Sequence, residues 1–159
     1  MPPTPLNVTS RYVSEGTRKI YWITTAANYL SPTRPEINAG IDLTNEIAEM
    51  TGFTVSSDTQ DVPDMSGRFT AKIPGRITAD DSSIRFYASS NSNDVRTVLP
   101  RDTSGYVLTL WEGDIVGQKM DVWPSKVTAA SVQTAIDDPA SVLIGFTITR
   151  VPAQNVTIP

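Results

Sequence analysis

Apolar and polar residues alternate along most of this chain, which predicts that β-strands dominate it. The alternation is clearest at residues 84–89 and 142–149, where apolar side chains recur at every second position. A period of two residues is that of a half-buried strand. Weaker segments of the same kind lie at residues 18–24, 41–47, 53–58, 69–73, 106–111 and 117–123.

One short helix is predicted between two of these strands. Ser92 or Asn93 can cap its first turn, and the carboxylate of Asp94 suits the positive end of the helix. Pro100 ends it, because proline has no N–H to donate. The apolar stripe at positions i, i+3 and i+4 is formed by Val95, Val98 and Leu99.

These elements predict an all-β fold, a β-sandwich or barrel of about eight mostly antiparallel strands with one short flanking α-helix. Residues 1–16 are expected to form an N-terminal extended arm, residues 17–151 the β-sandwich domain, and residues 152–159 a C-terminal tail. Residues 126–134 fit neither period cleanly and are assigned to strand. Pro124 is expected to end the preceding strand or to lie at a sheet edge.

Two polar strand faces are predicted in the first half of the domain. Asp42, Thr44 and Glu46 alternate with apolar neighbours in residues 41–47, and the pattern continues after Gly52. A polar loop of about nine residues, longer than a tight hairpin needs, follows at residues 58–66. The next core face is expected to contain Phe69, Ala71 and Ile73 and to end at Pro74-Gly75.

Composition removes most catalytic chemistry. The 159 residues include no cysteine and no histidine, and the net charge is -4. Thiolate metal sites are therefore absent, as are the commonest general base and the commonest metal ligand. A serine nucleophile needs a neighbouring base, and no Ser-x-x-Lys sequence supplies one. We expect no enzymatic activity and no cofactor.

The remaining candidates for chemistry have simpler explanations. Asp58, Asp61 and Asp64 recur at every third position but lack the order of a calcium loop, so no metal site is expected. The longest apolar run near the C-terminus, residues 142–146, is too short to cross a bilayer, so no membrane insertion is expected. No cluster of basic residues predicts specific DNA binding.

Six segments of the chain, in this order and spacing, resemble the major tail tube proteins of long-tailed, non-contractile bacteriophages (the siphophage tail tube family). The resemblance covers most of the chain from about Gly40 onward. The segments are GIDLT from Gly40, TGFTV from Thr51, DSSIRFY from Asp81, TSGYV from Thr103, GQKMDVWP from Gly117 and FTITRVPAQNVT from Phe146.

The resemblance implies a structural virion protein. Proteins of this family form a β-sandwich with a flanking helix and assemble as hexameric rings, in which sheets of neighbouring subunits join around a channel. The rings stack into a tube through which viral DNA passes without specific binding. The implied partners are further copies of the chain and the tape measure, tail terminator and distal tail proteins. The implied location is the virion, with assembly in the host cytoplasm.

The resemblance also gives the polar residues an expected role. Carboxylates on the channel wall repel phosphates, so DNA slides. The candidates for the channel lining are Asp42, Thr44, Glu46, Thr54, Ser56 and Asp58. The candidates for contacts between rings are Asp58, Thr59, Gln60, Asp61, Val62, Pro63, Asp64, Met65 and Ser66, together with the N-terminal arm and, more weakly, the C-terminal tail.

Three alternatives stay open. The inner tube protein of a contractile tail or injection system shares the same fold, and a single chain shows no sheath partner. A carbohydrate-binding β-sandwich is the alternative from another class, with Trp22, Trp111 or Trp123 exposed as a stacking platform. A glycoside hydrolase with a pair of acids is the least favoured, because nothing in the sequence brings two carboxylates together.

Overall fold

The computed structural model describes residues 3–91 and 94–159. Residues 3–13 contain no helix or strand, and most of their side chains are exposed. The strands are β1 (Lys19–Ile23), β2 (Ile41–Asp42), β3 (Ile47–Thr51), β4 (Val55–Val62), β5 (Ala71–Ala79), β6 (Ser82–Tyr87), β7 (Ser104–Leu110), β8 (Lys119–Gln133), β9 (Ser141–Ile148) and β10 (Ala153–Thr157). The helices are α1 (Arg34–Asn38), α2 (Val95–Val98) and a 3-10 turn at Thr44–Glu46. The predicted all-β class is confirmed.

The main sheet has the strand order β2-β1-β7-β8-β9-β6-β3, and β10 adds to β8. All of its pairs are antiparallel. β8 is long enough to belong to two regions: its first half pairs with β7 and β10, and its second half pairs with β9. β4 and β5 form a separate two-stranded sheet.

The main sheet folds over at β8 into two layers with the core between them. One apolar cluster joins residues of β1, β7 and β8 to residues of β6 and β9. The Trp22 ring of β1 lies 6.1 Å from the Phe146 ring of β9, and Phe53 meets Trp123 edge-on at 5.7 Å. We call β2, β1, β7, β10 and the first half of β8 the first layer, and the second half of β8, β9, β6 and β3 the second layer.

A second apolar cluster covers the other face of the first layer. It includes Ile37 of α1, Leu108 of β7 and Met120 of β8, and it is completed by Ala153 and Ile158 near the C-terminus. The predicted C-terminal tail is therefore wrong as a structural description. Residues 153–157 form a strand of the main sheet, and Ile158 is buried.

Pro124 lies inside β8, contrary to the expectation that it ends the strand or marks an edge. It pairs with Tyr106 of β7, and its carbonyl accepts a hydrogen bond from the Thr149 N–H at 2.9 Å. On its other side the partner of β8 changes from β10, paired up to Val122, to β9, paired from Ser125. A proline is tolerated here because the ladder is interrupted at this position. The assignment of residues 126–134 to strand is confirmed as far as Gln133.

The predicted regular strand at residues 41–47 is wrong. The Asp42 carboxylate accepts a hydrogen bond from the Thr44 N–H at 2.9 Å, and the Thr44 hydroxyl accepts one from the Ile20 N–H at 3.0 Å. These bonds favour a tight turn over an extended chain. The result is a two-residue β2 followed by the 3-10 turn.

The turn between β3 and β4 directs the chain out of the main sheet. Gly52 and Phe53 both have positive φ, 79° and 54°. A Cβ at Gly52 would lie 2.6 Å from the Asp81 carbonyl oxygen, so only glycine fits there. The Phe53 N–H donates to the Ser82 hydroxyl at 2.9 Å, which holds the buried Phe53 ring while β4 leaves the layer.

The predicted helix forms, but a different residue caps it. Asp94 is the N-cap, and its carboxylate accepts the Arg96 N–H at 3.0 Å. The alternative caps, Ser92 and Asn93, lie outside the described residues. The helix α1 was not predicted; the Glu36 carboxylate accepts hydrogen bonds from the Thr33 N–H and hydroxyl at 2.7 and 2.8 Å, as in a capping box.

The ionisation of Asp94 is expected to make the stability of the fold change with pH in the acidic range. Its side chain is only 2% exposed, and the Arg96 guanidinium, 2.7 Å away, is the main reason that its pKa is lowered from 3.8 to about 2. A lowered pKa in the folded state stabilises the fold above the ordinary pKa, and that stabilisation is lost as the pH falls toward 2. We expect Asp94→Asn, which keeps the cap, to remove this part of the pH dependence.

Urea unfolding of both proteins between pH 6 and pH 2 measures the effect. The difference in the free energy of unfolding should be largest above pH 4 and should shrink as the pH falls from about 4 to about 2. Asp94→Ala, which removes the cap, should cost about 0.5–2 kcal/mol and still do so at pH 2. A difference between the wild type and Asp94→Asn that does not change with pH would contradict this role.

Candidate assembly surfaces

The hairpin formed by β4 and β5 leaves apolar side chains in solvent. Within the described residues its two strands pair only with each other. Ile73 and Ile77 are 49% and 60% exposed, and Phe69, between the strands, is 83% exposed. A two-stranded hairpin is at best marginally stable in water without a surface to pack against. This hairpin therefore has the character of one half of an interface.

Strand register divides the apolar side chains of the hairpin into two sets. Residues paired across antiparallel strands point to the same side, and the pairing shifts by one residue between Ser57 and Thr59. Beyond the shift, Val62 lies opposite Ala71 and shares its side with Ile73; we call this side the hairpin apolar face. The other side carries the Asp61–Lys72 ion pair at 2.9 Å and, before the shift, the second apolar set, which consists of Val55, Ile77 and Ala79.

Two predictions about this region are wrong. Residues 58–62 belong to β4, so the predicted loop 58–66 begins only after Val62, and the connection runs from residue 63 to residue 70. We call residues 63–70 the hairpin tip. The core face predicted for Phe69, Ala71 and Ile73 is not in the core, and β5 continues through Pro74-Gly75 to Ala79.

The second half of β8 presents an open backbone edge. Val127 exchanges hydrogen bonds with the Asp102–Thr103 segment at 2.9 Å, and beyond it β8 pairs only with β9 in the part of the chain that the structure describes. We call residues 128–133 the open β8 edge. They are exposed, and their sequence, TAASVQ, contains no charge and no proline. Isolated proteins use charged side chains and proline to protect an edge strand from pairing, and this edge has neither.

The opposite edge of the second layer is β3, which pairs with β6 alone among the described residues. The second layer is therefore a sheet of four strand segments with an open edge on each side. This arrangement can join to another copy of itself edge to edge.

The second layer also has one open face. Cross-strand pairs place Ser83, Arg85 and Leu143 on the side away from the core, and these side chains are half-buried. Arg85 lies 3.7 Å from Glu49 of β3, guanidinium nitrogen to carboxylate oxygen. The same rows continue to Ala129 and Ser131 of β8, opposite Gly145 and Leu143. We call this the open sheet face. Lys126 lies in the same row, opposite Thr147, and is 3.2 Å from Asp102, so both cations placed on this face by the register lie beside a carboxylate.

The six residues predicted to line a channel do not share a sheet face. Asp42 lies in β2, Thr44 and Glu46 in the 3-10 turn, and Thr54 between β3 and β4. Ser56 and Asp58 lie in the hairpin strand β4. A channel role for them stays a prediction, but the common face on which it depended is absent.

A hollow of about 530 Å³ lies between α2 and the residues around the 3-10 turn. Its wall mixes apolar side chains with acids. The apolar residues are Ile41, Leu43, Phe86, Ala88, Val95 and Val98, and the acids are Asp42, Glu46 and Asp94. This hollow could not be predicted from the sequence, because its residues come from segments 40 or more positions apart in the chain.

A polar cluster on the other face of β1 connects α1 to the β7–β8 turn. Asp114 forms an ion pair with Arg34 and accepts a hydrogen bond from the Tyr21 hydroxyl at 3.2 Å. Burial, with the Asp114 charge next, raises the pKa of Tyr21 to about 12, and the Arg34 hydrogen bond lowers the pKa of Asp114. Each group is stabilised by its partner in its ordinary ionisation state, which is the behaviour of a structural cluster.

The positions of the tryptophans and acids do not favour carbohydrate binding or glycoside hydrolysis. Trp22 and Trp123 are each 1% exposed, so the exposed platform predicted for carbohydrate binding is wrong for both. Trp111 is half-buried and donates its indole N–H to Asp121 at 2.8 Å. Among residues 3–91 and 94–159, no three acidic side chains are grouped as metal ligands. A search of the same residues finds no helix with the length and apolar character to span a bilayer.

Several solved structures have a fold similar to that of this chain. A chain of the sheath/tube terminator of an extracellular contractile injection system (PVC), in the extended state, matches with a TM-score of 0.61 and 11% identity, over 90% of this chain and 96% of that one. A chain of the PVC sheath–tube complex matches with a TM-score of 0.61 and 13% identity, over 91% and 93%. A chain from the tail of an empty GTA particle (helical refinement, C6 symmetry) matches with a TM-score of 0.55 and 8% identity, over 92% and 100%. Identities this low establish the fold alone.

The sequence itself identifies the family. No curated protein matches the chain. The sequence model of the family described as phage tail tube protein matches residues 6–159, which is nearly the whole chain. This chain belongs to the phage tail tube protein family.

Proposed function

We propose that this chain is the major tail tube subunit of a non-contractile phage tail and polymerises as stacked hexameric rings around the channel for genome delivery. The observation that carries the proposal is the combination of an exposed apolar hairpin face with a layer that has two open edges. An isolated subunit gains nothing from either feature, whereas a polymer buries both. The function is structural, without catalysis.

Ring closure follows from the edges of the second layer. The open β8 edge of one copy pairs with β3 of its neighbour, so each copy adds four strand segments, from β8, β9, β6 and β3, to one continuous barrel. The contact is heterologous, since two different edges meet, and such contacts close into a ring when the rotation between copies allows it.

The open sheet face then lines the channel. We propose this face in place of the six predicted residues, because it is the uncovered side of the layer that has both edges available. Its cations, Arg85 and Lys126, are paired with Glu49 and Asp102, and the uncharged side chains around them give DNA phosphates no strong attachment. Replacing Leu143 by lysine should slow genome ejection, because each ring gains a circle of unpaired cations. Leu143→Gln is the control, and equal ejection rates for the two variants would contradict the lumen assignment.

The hairpin supplies contacts between subunits of successive rings. The residues proposed from sequence for this role, Asp58 to Ser66, span the end of β4 and the first part of the hairpin tip. The N-terminal arm, exposed over residues 3–13, is a second candidate for the same contacts. By analogy with the family, the tape measure, tail terminator and distal tail proteins are the further partners, in a virion assembled in the host cytoplasm.

The main alternative is the inner tube of a contractile tail or injection system. It is favoured by the similarity to chains of contractile injection system structures. A sheath protein that co-purifies with the tube would decide for it.

Negative-stain electron microscopy of the purified chain over a range of concentrations, with light scattering for mass, tests the proposal. Hollow tubes or six-fold rings are the expected result. A monomer at every concentration, also in the presence of the particle's tail tip, would overturn it.

A further inference from the structure

The hollow beside α2 is incomplete as a packed surface. Ile41 remains exposed on its wall and Val98 is only partly buried, although the buried core residue Leu43 lines the same hollow. An exposed apolar wall of this kind becomes buried in an assembly when the partner offers a complementary side chain.

The hollow also carries unbalanced negative charge. Asp42 lies 3.6 Å from Lys19, and Asp94 is paired with Arg96. Glu46, by contrast, has no ion-pair partner within the described residues. An occupant that brings apolar side chains and one cation would match this wall.

The hairpin tip has that composition. Met65 and Phe69 are its large apolar side chains, and both are exposed. Arg68 stands next to Phe69, and in the part of the chain that the structure describes it forms no ion pair. Two apolar anchors beside an arginine are typical of residues that dominate the binding energy of an interface.

The tip and the hollow of one copy lie toward opposite ends of the second layer. β3 begins directly after Glu46, at the hollow, and ends at Thr51, where the chain turns into the hairpin. Its partner β6 runs the other way, from Ser82, which is bonded to Phe53 where the chain enters the hairpin, to Tyr87, whose neighbours Phe86 and Ala88 line the hollow. The tip of one copy therefore meets the hollow of another copy most directly when the two are arranged head to tail along the strand direction.

We propose that the hairpin tip of one copy, through Met65, Arg68 and Phe69, docks into the hollow beside α2 of a second copy. The docking names the partner surface of the hairpin and rests on the tube assembly proposed above. Phe69 covers the apolar wall formed by Ile41 and Val98, and Arg68 pairs with Glu46. A head-to-tail contact of two different surfaces that repeats along the strand direction, without a rotation that closes it into a ring, extends as a filament.

Site-directed crosslinking tests the contact cleanly, because the chain contains no cysteine. Ser66→Cys marks the tip and spares its three anchors, and Thr97→Cys marks the exposed rim of the hollow. The two variants carry different tags, are mixed at assembling concentration and are treated with a short bis-maleimide. The expected product is a covalent dimer that contains both tags. Ile136→Cys, on the exposed β8–β9 connection, replaces Thr97→Cys in the control and should give little product.

A charge exchange tests the pairing. Arg68→Glu should reduce the crosslinked product roughly tenfold, the effect of about 1.4 kcal/mol of lost or opposed interaction. Glu46→Arg in the second copy should recover most of that loss. Recovery requires the two residues to meet, which a general disturbance of the hairpin does not reproduce.

The outcomes separate this contact from tube formation. A Ser66–Thr97 product that depends on Arg68 supports the docking. Tubes in the microscope with no such product overturn the docking and leave the tube function in place. A product between Val8→Cys in the N-terminal arm and Thr97→Cys, with none from the tip, overturns it in favour of the arm. Absence of both tubes and product contradicts both proposals.

Discussion

Replacing Ile73 and Ile77 together by aspartate is expected to abolish tube formation and leave a folded monomer. Both are exposed apolar side chains of the hairpin, one on each side of it, and about half of each is exposed in the single chain, so the monomer loses little by the change. Full burial of such a side chain contributes about 1.5–3 kcal/mol, and assembly would bury the half that is still exposed, which is worth about half as much. Two losses of this size raise the concentration needed for assembly by roughly 10- to 100-fold, before the cost of burying the carboxylates is added.

Thr59→Asp with Thr78→Asp is the matched control. These residues are exposed and lie in the same two strands, where Thr59 pairs with Pro74 and Thr78 pairs with Ser56, so the added charge and the local strand propensity are comparable. The control should assemble at a concentration within a few-fold of the wild type. Sedimentation velocity measures assembly, and circular dichroism with urea unfolding verifies the monomer fold in both variants. Tubes of normal length from Ile73→Asp with Ile77→Asp would show that these apolar side chains of the hairpin do not belong to an interface.

The same hairpin shows what alternation in a sequence can and cannot predict. Ala71 and Ile73 were correctly assigned to one apolar face, because a period of two residues reports that one side of a strand avoids water. The prediction that this face lies in the core of the domain was wrong, since the pattern does not say which molecule covers it. Strands that belong to an interface between copies have the same signature as strands of a core.

The elements whose conformation depends on their own side chains and on residues close in sequence were the most predictable. β6 and β9 were found from alternation alone, and α2 from its stripe and Pro100. Residues 41–47 alternate just as well, but the hydrogen bonds of Asp42 and Thr44 turn the chain there. A pattern of apolar residues reports burial, and short polar side chains that bond to the backbone can override the conformation it predicts.

The arrangement of β8 depended on information from distant parts of the chain. Pro124 is tolerated inside the strand because the neighbour of β8 changes there from β10 to β9, and neither of these strands is near Pro124 in sequence. The open edge at residues 128–133 follows from the same arrangement: β7 has no residue left to pair beyond this point. The assembly surfaces could therefore be predicted as a general property of the family and located only with the folded chain.

Replacing Ala130 and Val132 by lysine is expected to prevent ring closure without unfolding the subunit. Both residues belong to the open β8 edge and are exposed, although the residues opposite them in β9, Ile144 and Val142, are buried. The side chains at positions 130 and 132 thus continue the apolar side of the second layer beyond its own core. A neighbouring copy that pairs with the edge covers them, and lysine at an edge strand is the device by which isolated proteins prevent such pairing.

Ser131→Lys separates the backbone edge from the lumen in this experiment. Ser131 lies between the two substituted residues, but its side chain points to the open sheet face, opposite Leu143. Its lysine should leave ring closure intact and place one cation per copy in the channel, which slows DNA passage. Electron microscopy of rings and a genome ejection assay read the two effects independently. Rings from Ala130→Lys with Val132→Lys would mean that β8 is not the joining edge; failure of Ser131→Lys to form rings would mean that the open sheet face is covered by a neighbour and lines no channel.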